Sequence, residues 1–219
     1  MAEDALDKKR AAGKASIKGF LICLTVLSVV GAAAWFGLTT GLDRLPSRVC
    51  DNAVDRDVVI RTLPRTRTAE EGAEKRHEGK DLMFSCRIYT SSDSILSGMA
   101  QVQDASVQQW FNHYGANRGG TVVRVSTDGI EALARLDRNG GNSYIYIPCV
   151  PRGVRAEDAK QSYAIITQAS VIGEGRVTGA ALRQAVTDFA YQVTEHAYKL
   201  ADCQGSRAFP EDLPRYAEK

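Results

Sequence analysis

The fold is decided by residues 178–203, which have the sequence TGAALRQAVTDFAYQVTEHAYKLADC. Apolar residues recur there at steps of three and four, namely Leu182, Val186, Phe189, Val193, Ala197 and Leu200. This spacing places them on one side of an α-helix. The sequence therefore predicts a long C-terminal helix whose apolar side lies across a sheet.

The sheet itself is predicted from segments in which apolar and polar residues alternate. Such alternation covers residues 82–89, and the polar turn 91–94 leads into a second strand over 95–103, which together predict a hairpin. Further strands are predicted over 121–126, 143–149 and 163–172.

Residues 130–137 fit two structures. The segment IEALARL contains strong helix formers, yet its apolar residues also alternate as they do in a strand. Because Asn139 and Gly140 form a strong hairpin turn directly afterwards, we predict a strand. The combined patterns predict an α+β domain in which helices, including the long C-terminal one, pack on an antiparallel sheet of about six strands.

Two further segments precede the hairpin. Asp51 and Asn52 are typical helix caps and predict a helix over residues 53–62. Residues 65–81 are rich in charges and contain no large apolar side chain, which is typical of a solvated loop.

The N-terminal region predicts one membrane crossing. Residues 19–42 form a stretch of 24 residues without charge, and as a helix this stretch is about 36 Å long, against about 30 Å of bilayer hydrocarbon. Five basic residues precede it: Lys8, Lys9, Arg10, Lys14 and Lys18. Since basic residues stay on the cytoplasmic side, we expect a cytoplasmic N-terminus and an extracytoplasmic C-terminal part.

A cleaved signal peptide is the alternative for this segment. Residues 20–30 have the length of a signal-peptide core, and the alanines at 32–34 offer the small residues that a signal peptidase requires. Against cleavage, the apolar residues continue through Leu38. Cys23 does not predict a lipoprotein, because Ile22 precedes it where a small residue is needed.

The sequence divides into five parts: a basic cytoplasmic segment 1–18, a transmembrane helix 19–42, a juxtamembrane linker 43–49, an extracytoplasmic domain 50–203 and an extended tail 204–219. The first part holds five bases and three acids, and so carries the whole net charge of +2. The part beyond the membrane has balanced charges. A nucleic-acid partner is therefore excluded, because phosphate binding needs an excess of Lys and Arg.

Four cysteines lie beyond the membrane segment: Cys50, Cys86, Cys149 and Cys203. An even number in an oxidising compartment predicts two disulfides. A zinc site is disfavoured because none of them belongs to a closely spaced pair, and free buried thiols are the other alternative. Of the three possible connectivities we expect Cys50–Cys86 and Cys149–Cys203, each of which joins a helix end to a strand.

The sequence contains no recognisable catalytic motif, and we expect neither a metal nor a cofactor. His196 lies beside Glu195 and could form an acid–base pair, but a residue at the edge of a core helix face explains it equally simply. His113 lies in an aromatic stretch that packing explains. Tyr144 and Tyr146 share one face of a strand, which is more typical of a covered surface than of a recognition surface.

Four segments form a recognisable layout together with the membrane anchor: VCDNAVDRDVVIRTLP at 49–64, FSCRIYT at 84–90, YIPC at 146–149 and the long helix that ends in Cys203. This layout resembles the uncharacterised membrane-anchored or secreted proteins of actinobacteria, over nearly the whole chain. That group has no assigned activity, so the resemblance implies no site residues.

The expected function is that of a membrane-tethered, extracytoplasmic and non-enzymatic domain that binds an envelope protein or a cell-wall component. A cell-envelope enzyme with an unrecognised active site is the alternative. A deep cleft that holds His196 or His113 with a carboxylate would favour the enzyme, whereas a closed body with an exposed apolar or tyrosine-lined face would favour binding.

Overall fold

The structure is a computed structural model that describes residues 19–32, 34–35, 37, 40–115, 122–137, 140–154, 162–205 and 207–216. Its strands are β1 (Arg48–Val49), β2 (Val54–Asp55), β3 (Ala69–Arg76), β4 (Met83–Thr90), β5 (Ile95–Asp104), β6 (Val122–Thr127), β7 (Ile130–Asp137), β8 (Gly140–Pro148) and β9 (Tyr163–Ile172). Its α-helices beyond the N-terminal region are α1 (Arg56–Thr62), α2 (Val107–Tyr114) and α3 (Gly179–Leu200). Short 3₁₀ helices cover Leu42–Arg44 and Gly79–Asp81.

Seven of the described strands form one antiparallel sheet in the order β3-β4-β5-β9-β8-β7-β6. The hairpin β4–β5 and the meander β6–β7–β8 each consist of consecutive strands, whereas β9 lies between them. β9 pairs with β5 along its full length, from Ile172 opposite Ile95 to Tyr163 opposite Asp104. The predicted α+β fold with an antiparallel sheet and a long C-terminal helix is confirmed, with one strand more than expected.

One face of the sheet, which we call the inner face, is covered by α3. The predicted apolar stripe is buried against it, with Leu200 half-buried at its end: Leu182, Val186, Phe189, Val193 and Ala197. The ring of Phe189 lies over Gly98 of β5, where a Cβ atom would come within 2.8 Å of the ring's Cε1 atom. Glycine at this position therefore lets the helix approach the sheet closely.

The opposite face, which we call the outer face, is covered by α2 over part of its width. Trp110 of α2 packs there in a small cluster with Leu133, Tyr146, Ala164 and Ile166. Because alternate residues of a strand point to opposite faces, Gly98 of β5 faces α3 and its neighbours Ser97, Met99 and Gln101 lie on the outer face. These three side chains are half-buried.

The loop predicted for residues 65–81 is wrong, because residues 69–76 form the edge strand β3. This strand pairs with β4 along its full length, from Ala69 opposite Thr90 to Arg76 opposite Met83. Its side chains are mostly exposed and charged, which conceals the strand from a pattern search. An edge strand of this composition resists pairing with other chains.

The predicted helix start at Asp51 and Asn52 is also wrong. Cys50, Asp51 and Asn52 have positive φ angles of 55°, 56° and 62°, and they form the turn that connects β1 to β2. Asn and Asp tolerate this left-handed region better than most residues. The helix begins later, at Arg56.

The sequence assigns residues 40–42 to the end of the transmembrane helix and residues 43–49 to a linker, but both segments belong to the folded domain, so these two assignments are wrong. Leu42, Leu45 and Val49 are buried in the main core. The Gly41 N–H donates to the Thr66 carbonyl at 2.8 Å, so the domain is already anchored at this point of the chain.

The N-terminal region is helical over residues 19–32, with apolar side chains exposed from 48% at Leu24 to 68% at Val29. Of the predicted transmembrane segment 19–42, residues 33, 36, 38 and 39 lie outside the described residues, as does the predicted cytoplasmic segment 1–18. Within the described part of the chain, no helix is both long enough and apolar enough to cross a membrane.

Candidate functional site

Two disulfides fasten the main core to the ends of its helices. Cys50 is bonded to Cys86 of β4 with 5.4 Å between their Cα atoms, and Cys149 is bonded to Cys203 with 5.2 Å between theirs. This is the connectivity that the sequence analysis favours. The first bond holds the turn before α1 against the sheet, and the second holds the end of α3 against the end of β8.

The three histidines lie on α2, on α3 and in the loop that follows β3. The His196 ring packs on Phe84 with 4.7 Å between the ring centres, and burial lowers the pKa of His196. Its neighbour Glu195 instead accepts a hydrogen bond from Lys199 at 2.7 Å. His113 packs edge-on against the ring of Tyr114. His113 and His196 therefore lie on different helices. The carboxylates of Asp51 and Glu195 are near enough to His196 to oppose the lowering of its pKa by burial.

Among the described residues, no group of three or more His, Cys, Asp or Glu side chains is arranged so that it could hold a metal ion.

Tyr144 and Tyr146 lie on the outer face beneath α2. The Tyr146 ring packs 5.7 Å from the ring of Trp110, and its hydroxyl donates to the Ala105 carbonyl at 3.2 Å. The Tyr144 ring stacks on Tyr114 at 4.6 Å. These tyrosines therefore serve to hold α2 on the sheet.

The best candidate for a binding site is a groove between α1 and the first half of α3. It encloses about 440 Å³. Its floor is apolar and is formed by Ile60, Val177 and Ala185, while guanidinium groups of Arg61 and Arg176 lie at its rim. A concave apolar surface with a few convergent polar groups is the usual form of a ligand site.

Hydrogen bonds to α1 position Arg176, and an ion pair positions Arg61. The Arg176 N–H donates to the Thr62 carbonyl at the end of α1, and its guanidinium donates to the Ile60 carbonyl, both at 2.9 Å. Arg61 lies on α1 itself, with one guanidinium nitrogen 3.8 Å from the Asp188 carboxylate. Both residues are exposed to solvent.

Asp188 is the acidic side chain of this groove. The Gln184 amide donates to its carboxylate at 2.7 Å. Burial raises the pKa of Asp188, an effect that the hydrogen bond from Gln184 and the charges of Arg61 and Arg215 oppose. The lining of the groove contains three arginines and one carboxylate, and a second carboxylate, that of Asp212, lies near enough to raise the pKa of Asp188 further.

The third arginine of the rim comes from the C-terminal segment. The predicted tail 204–219 is extended, but its described residues 207–216, which we call the strap, are packed on the domain. Leu213 is 3% exposed and belongs to the main core. The strap follows Cys203 closely in the sequence, and the second disulfide holds Cys203 against the end of β8. The strap places Arg215 at the groove.

Hydrogen bonds hold the strap along α3. The Tyr191 hydroxyl donates to the Pro210 carbonyl at 2.7 Å. The hydroxyls of Tyr216 and Thr187 are 3.1 Å apart, and Tyr216 is buried, which raises its pKa to about 12. The Thr187 hydroxyl is in turn 2.9 Å from the hydroxyl of Ser143 on β8, so the strap, α3 and the sheet are linked through one buried polar chain.

A smaller cavity of about 240 Å³ continues the groove past the end of α1. It shares Ile60 and Arg176 with the first cavity, and adds Arg65, Asp43 and Trp35. We call the two cavities together the basic groove. Its lining contains four arginines and two aspartates, and one end of it lies at Trp35 of the predicted membrane anchor.

Comparisons of the chain with protein-family models, with curated proteins and with solved structures give no match. The basic groove was not foreseen from the sequence. Arg61, Arg176 and Arg215 lie on α1, on the loop before α3 and on the strap, so no local spacing relates them. Only the packing of these three segments brings them together.

Proposed function

We propose that this protein is a membrane-tethered extracytoplasmic domain that acts by binding, and that it takes an anionic, partly apolar component of the cell envelope into the basic groove. The observation that carries the proposal is the groove itself, which combines an apolar floor with a rim of arginines. Arginine side chains offer paired N–H donors that fit phosphate and carboxylate groups.

The tether is supported by the N-terminal sequence. Residues 19–42 lack charges and follow a cluster of five basic residues, which is the pattern of an anchor with a cytoplasmic N-terminus. Large apolar side chains of the helical residues are exposed, for example Phe20 at 66%. Exposed apolar surface of this extent marks a site of contact with a membrane or a partner.

The extracytoplasmic address is supported by the cysteines. Both disulfides, Cys50–Cys86 and Cys149–Cys203, are formed within the domain. Stable disulfides persist in oxidising compartments and are rare in the cytosol.

Photo-crosslinking in intact membranes tests the proposal. A benzophenone amino acid replaces Ala181, an exposed residue that lines the groove, in the full chain. The matched control places it at Tyr89, which is 45% exposed on the outer face of β4. Ultraviolet light should yield a discrete adduct from position 181 and none from position 89, and mass spectrometry then gives the class of the captured molecule.

The opposite result at position 181 would reject the proposal. If position 181 yields no adduct while both disulfides are intact on a non-reducing gel, the groove is unoccupied in the native membrane and the binding function is rejected.

A further inference from the structure

We infer that the ligand of the basic groove is the phosphate headgroup of an anionic phospholipid in the outer leaflet of the membrane that holds the anchor. This inference rests on the proposed function and names the ligand for the same site. It follows from three properties of the groove: its charge, its chemistry and its distance from the anchor.

The charge favours an anion. The basic groove has four arginines, and of its two acidic side chains Asp188 is already engaged by Gln184 at 2.7 Å and by Arg61 at 3.8 Å. Arg176 and Arg215 have no such carboxylate within salt-bridge distance among the described residues. Arg215 acts on Asp188 only from beyond salt-bridge distance, and Arg176 donates to a neutral carbonyl, so a negatively charged ligand would be the first close anionic partner of both.

The chemistry favours a phosphate joined to an apolar body. A guanidinium group can donate two parallel N–H bonds to a phosphate, which holds its orientation as well as its charge. Below the rim, Ile60, Val177 and Ala185 form an apolar floor. Burial of the first methylene groups of a lipid against such a floor is favourable, because it removes apolar surface from water.

The position of the groove selects the membrane as the source of this ligand. Trp35 lines the groove together with Arg65 and Arg176. In the predicted orientation Trp35 lies at the outer interface, where tryptophan rings prefer the headgroup level. The folded domain begins at Thr40, which bridges to Thr66.

The connection is too short to hold the groove far from the bilayer. Between Trp35 and Thr40 an extended chain spans at most about 18 Å, at about 3.6 Å per residue. The end of the groove is therefore at headgroup height, and the domain lies on the bilayer with this side toward it.

Nanodiscs of defined composition test the inference on the full chain. The benzophenone at position 181 should capture phosphatidylglycerol from discs that contain phosphatidylcholine and phosphatidylglycerol, about tenfold more than it captures lipid from discs of phosphatidylcholine alone. The benzophenone at position 89 should capture little from either. Because the attraction is electrostatic, added salt should weaken the capture at position 181.

Substitution of two groove arginines tests whether their charges are responsible for the capture of phosphatidylglycerol. The double variant Arg61→Gln and Arg215→Gln should lower the yield of the phosphatidylglycerol adduct about tenfold. Arg152→Gln is the matched control, because Arg152 is an exposed arginine paired with Asp202 at the far end of α3, and it should leave the yield unchanged. Circular dichroism checks that each variant keeps its fold.

Each result decides between the alternatives. Equal capture from both kinds of disc, or a yield that the double variant does not change, would overturn the headgroup inference. If position 181 captures a protein or a glycan from native membranes but no lipid from discs, the lipid inference fails and the binding function stands. If position 181 captures nothing in native membranes, both fail.

Discussion

The inner face of the sheet is covered by one helix of 22 residues, whereas the outer face is covered by α2, which has eight. On the inner face, large apolar side chains of α3 and the sheet form one continuous core that also includes both disulfides. On the outer face, the apolar cluster around Trp110 covers β7, β8 and β9. The neighbouring strand β5 presents polar side chains on this face, such as Ser97 and Gln101. The stability of the domain should therefore depend far more on the inner face.

The largest effect is expected for Phe189→Ala. Phe189 of α3 is fully buried against β5. The substitution removes apolar contacts and leaves a cavity, so the free energy of unfolding should fall by about 4 kcal/mol. On the outer face, Met99→Ala removes a half-buried side chain and should cost about 1 kcal/mol. Urea denaturation of both variants measures the difference, and equal losses would break the comparison.

A matched pair of glycines sharpens the comparison. Gly98→Ala on the inner face would place a Cβ atom 2.8 Å from the Phe189 ring and 3.3 Å from Val193, so we expect a loss of about 1–3 kcal/mol. Gly72→Ala lies on the other side of the sheet, opposite Arg87, with no heavy atom within 4 Å of the new Cβ. It should be neutral or slightly stabilising. Thermal denaturation of both variants would contradict the expected close contact at Gly98 if the two melting temperatures were the same.

The strap should contribute a smaller and pH-dependent amount. Tyr216→Phe removes the hydroxyl that meets Thr187 and should lower the free energy of unfolding by about 1 kcal/mol near neutral pH. Burial raises the pKa of Tyr216 from its ordinary 10.0 to about 12, so the folded state keeps the neutral phenol. The stability that this group contributes is complete below pH 10.0, and is lost as the pH rises through about 12.

Melting curves at a series of alkaline pH values check this expectation. The stability of the natural protein should fall more steeply above pH 10.0 than that of Tyr216→Phe, so the gap between them should narrow. A gap that stays constant with pH would show that the phenol is as readily ionised in the folded protein as in the unfolded chain.

The smallest effect is expected for His196 at the edge of the inner face. Burial lowers its pKa from 6.5, so the unfolded chain takes up a proton first as the pH falls. The stability that His196 contributes is therefore present above pH 6.5 and is lost at lower pH. His196→Gln should flatten the pH dependence of the melting temperature in this range. An unchanged slope would show that the ring is as well solvated in the folded state as in the unfolded chain.

Much of the sheet could be predicted because its strands are amphipathic. In β4 the residues that face α3 include Phe84, Cys86 and Ile88, so the period of two is visible in the sequence. The same holds for α3, whose stripe has the helical period. β9 is apolar on both faces over part of its length, and its inner face also carries Thr167, whose hydroxyl accepts from Thr194 of α3. The predicted cysteine pairing is the observed one, although its reason holds only for Cys149–Cys203, where the end of α3 meets the end of β8. Cys50 bonds Cys86 from the turn between β1 and β2 and not from the start of a helix.

β3 could not be predicted because it has almost nothing to bury. It lies at the edge of the sheet, pairs on one side only and presents glutamates and a lysine to solvent. Ala69 and Ala73 are its half-buried residues, and they are too small to create a visible period. The strand exists because β4 offers it hydrogen-bonding partners along its full length, which is a property of the neighbour and not of the segment.

The basic groove was hidden for a different reason. Its residues are individually ordinary: an arginine on a short helix, another in a loop and a third in a segment that has the composition of a tail. The strap is packed because Leu213 and Tyr216 find buried positions on α3, and these two residues are isolated among polar neighbours in the sequence. Sites assembled from distant segments of a chain leave no local signature.

The position of β9 sets the order in which the chain can complete its fold. β5 ends at residue 104 and its partner β9 begins at residue 163, so for a domain at the proposed extracytoplasmic location the whole of α2 and the β6–β7–β8 meander must cross the membrane before the two strands can pair. Until then the growing polypeptide holds two separate half-sheets, each with an open edge that could pair with another chain. The emergence of β9 joins them in one step, and α3 follows it directly. A chain whose export stops before residue 163 is thus the species that most needs the protection of a chaperone.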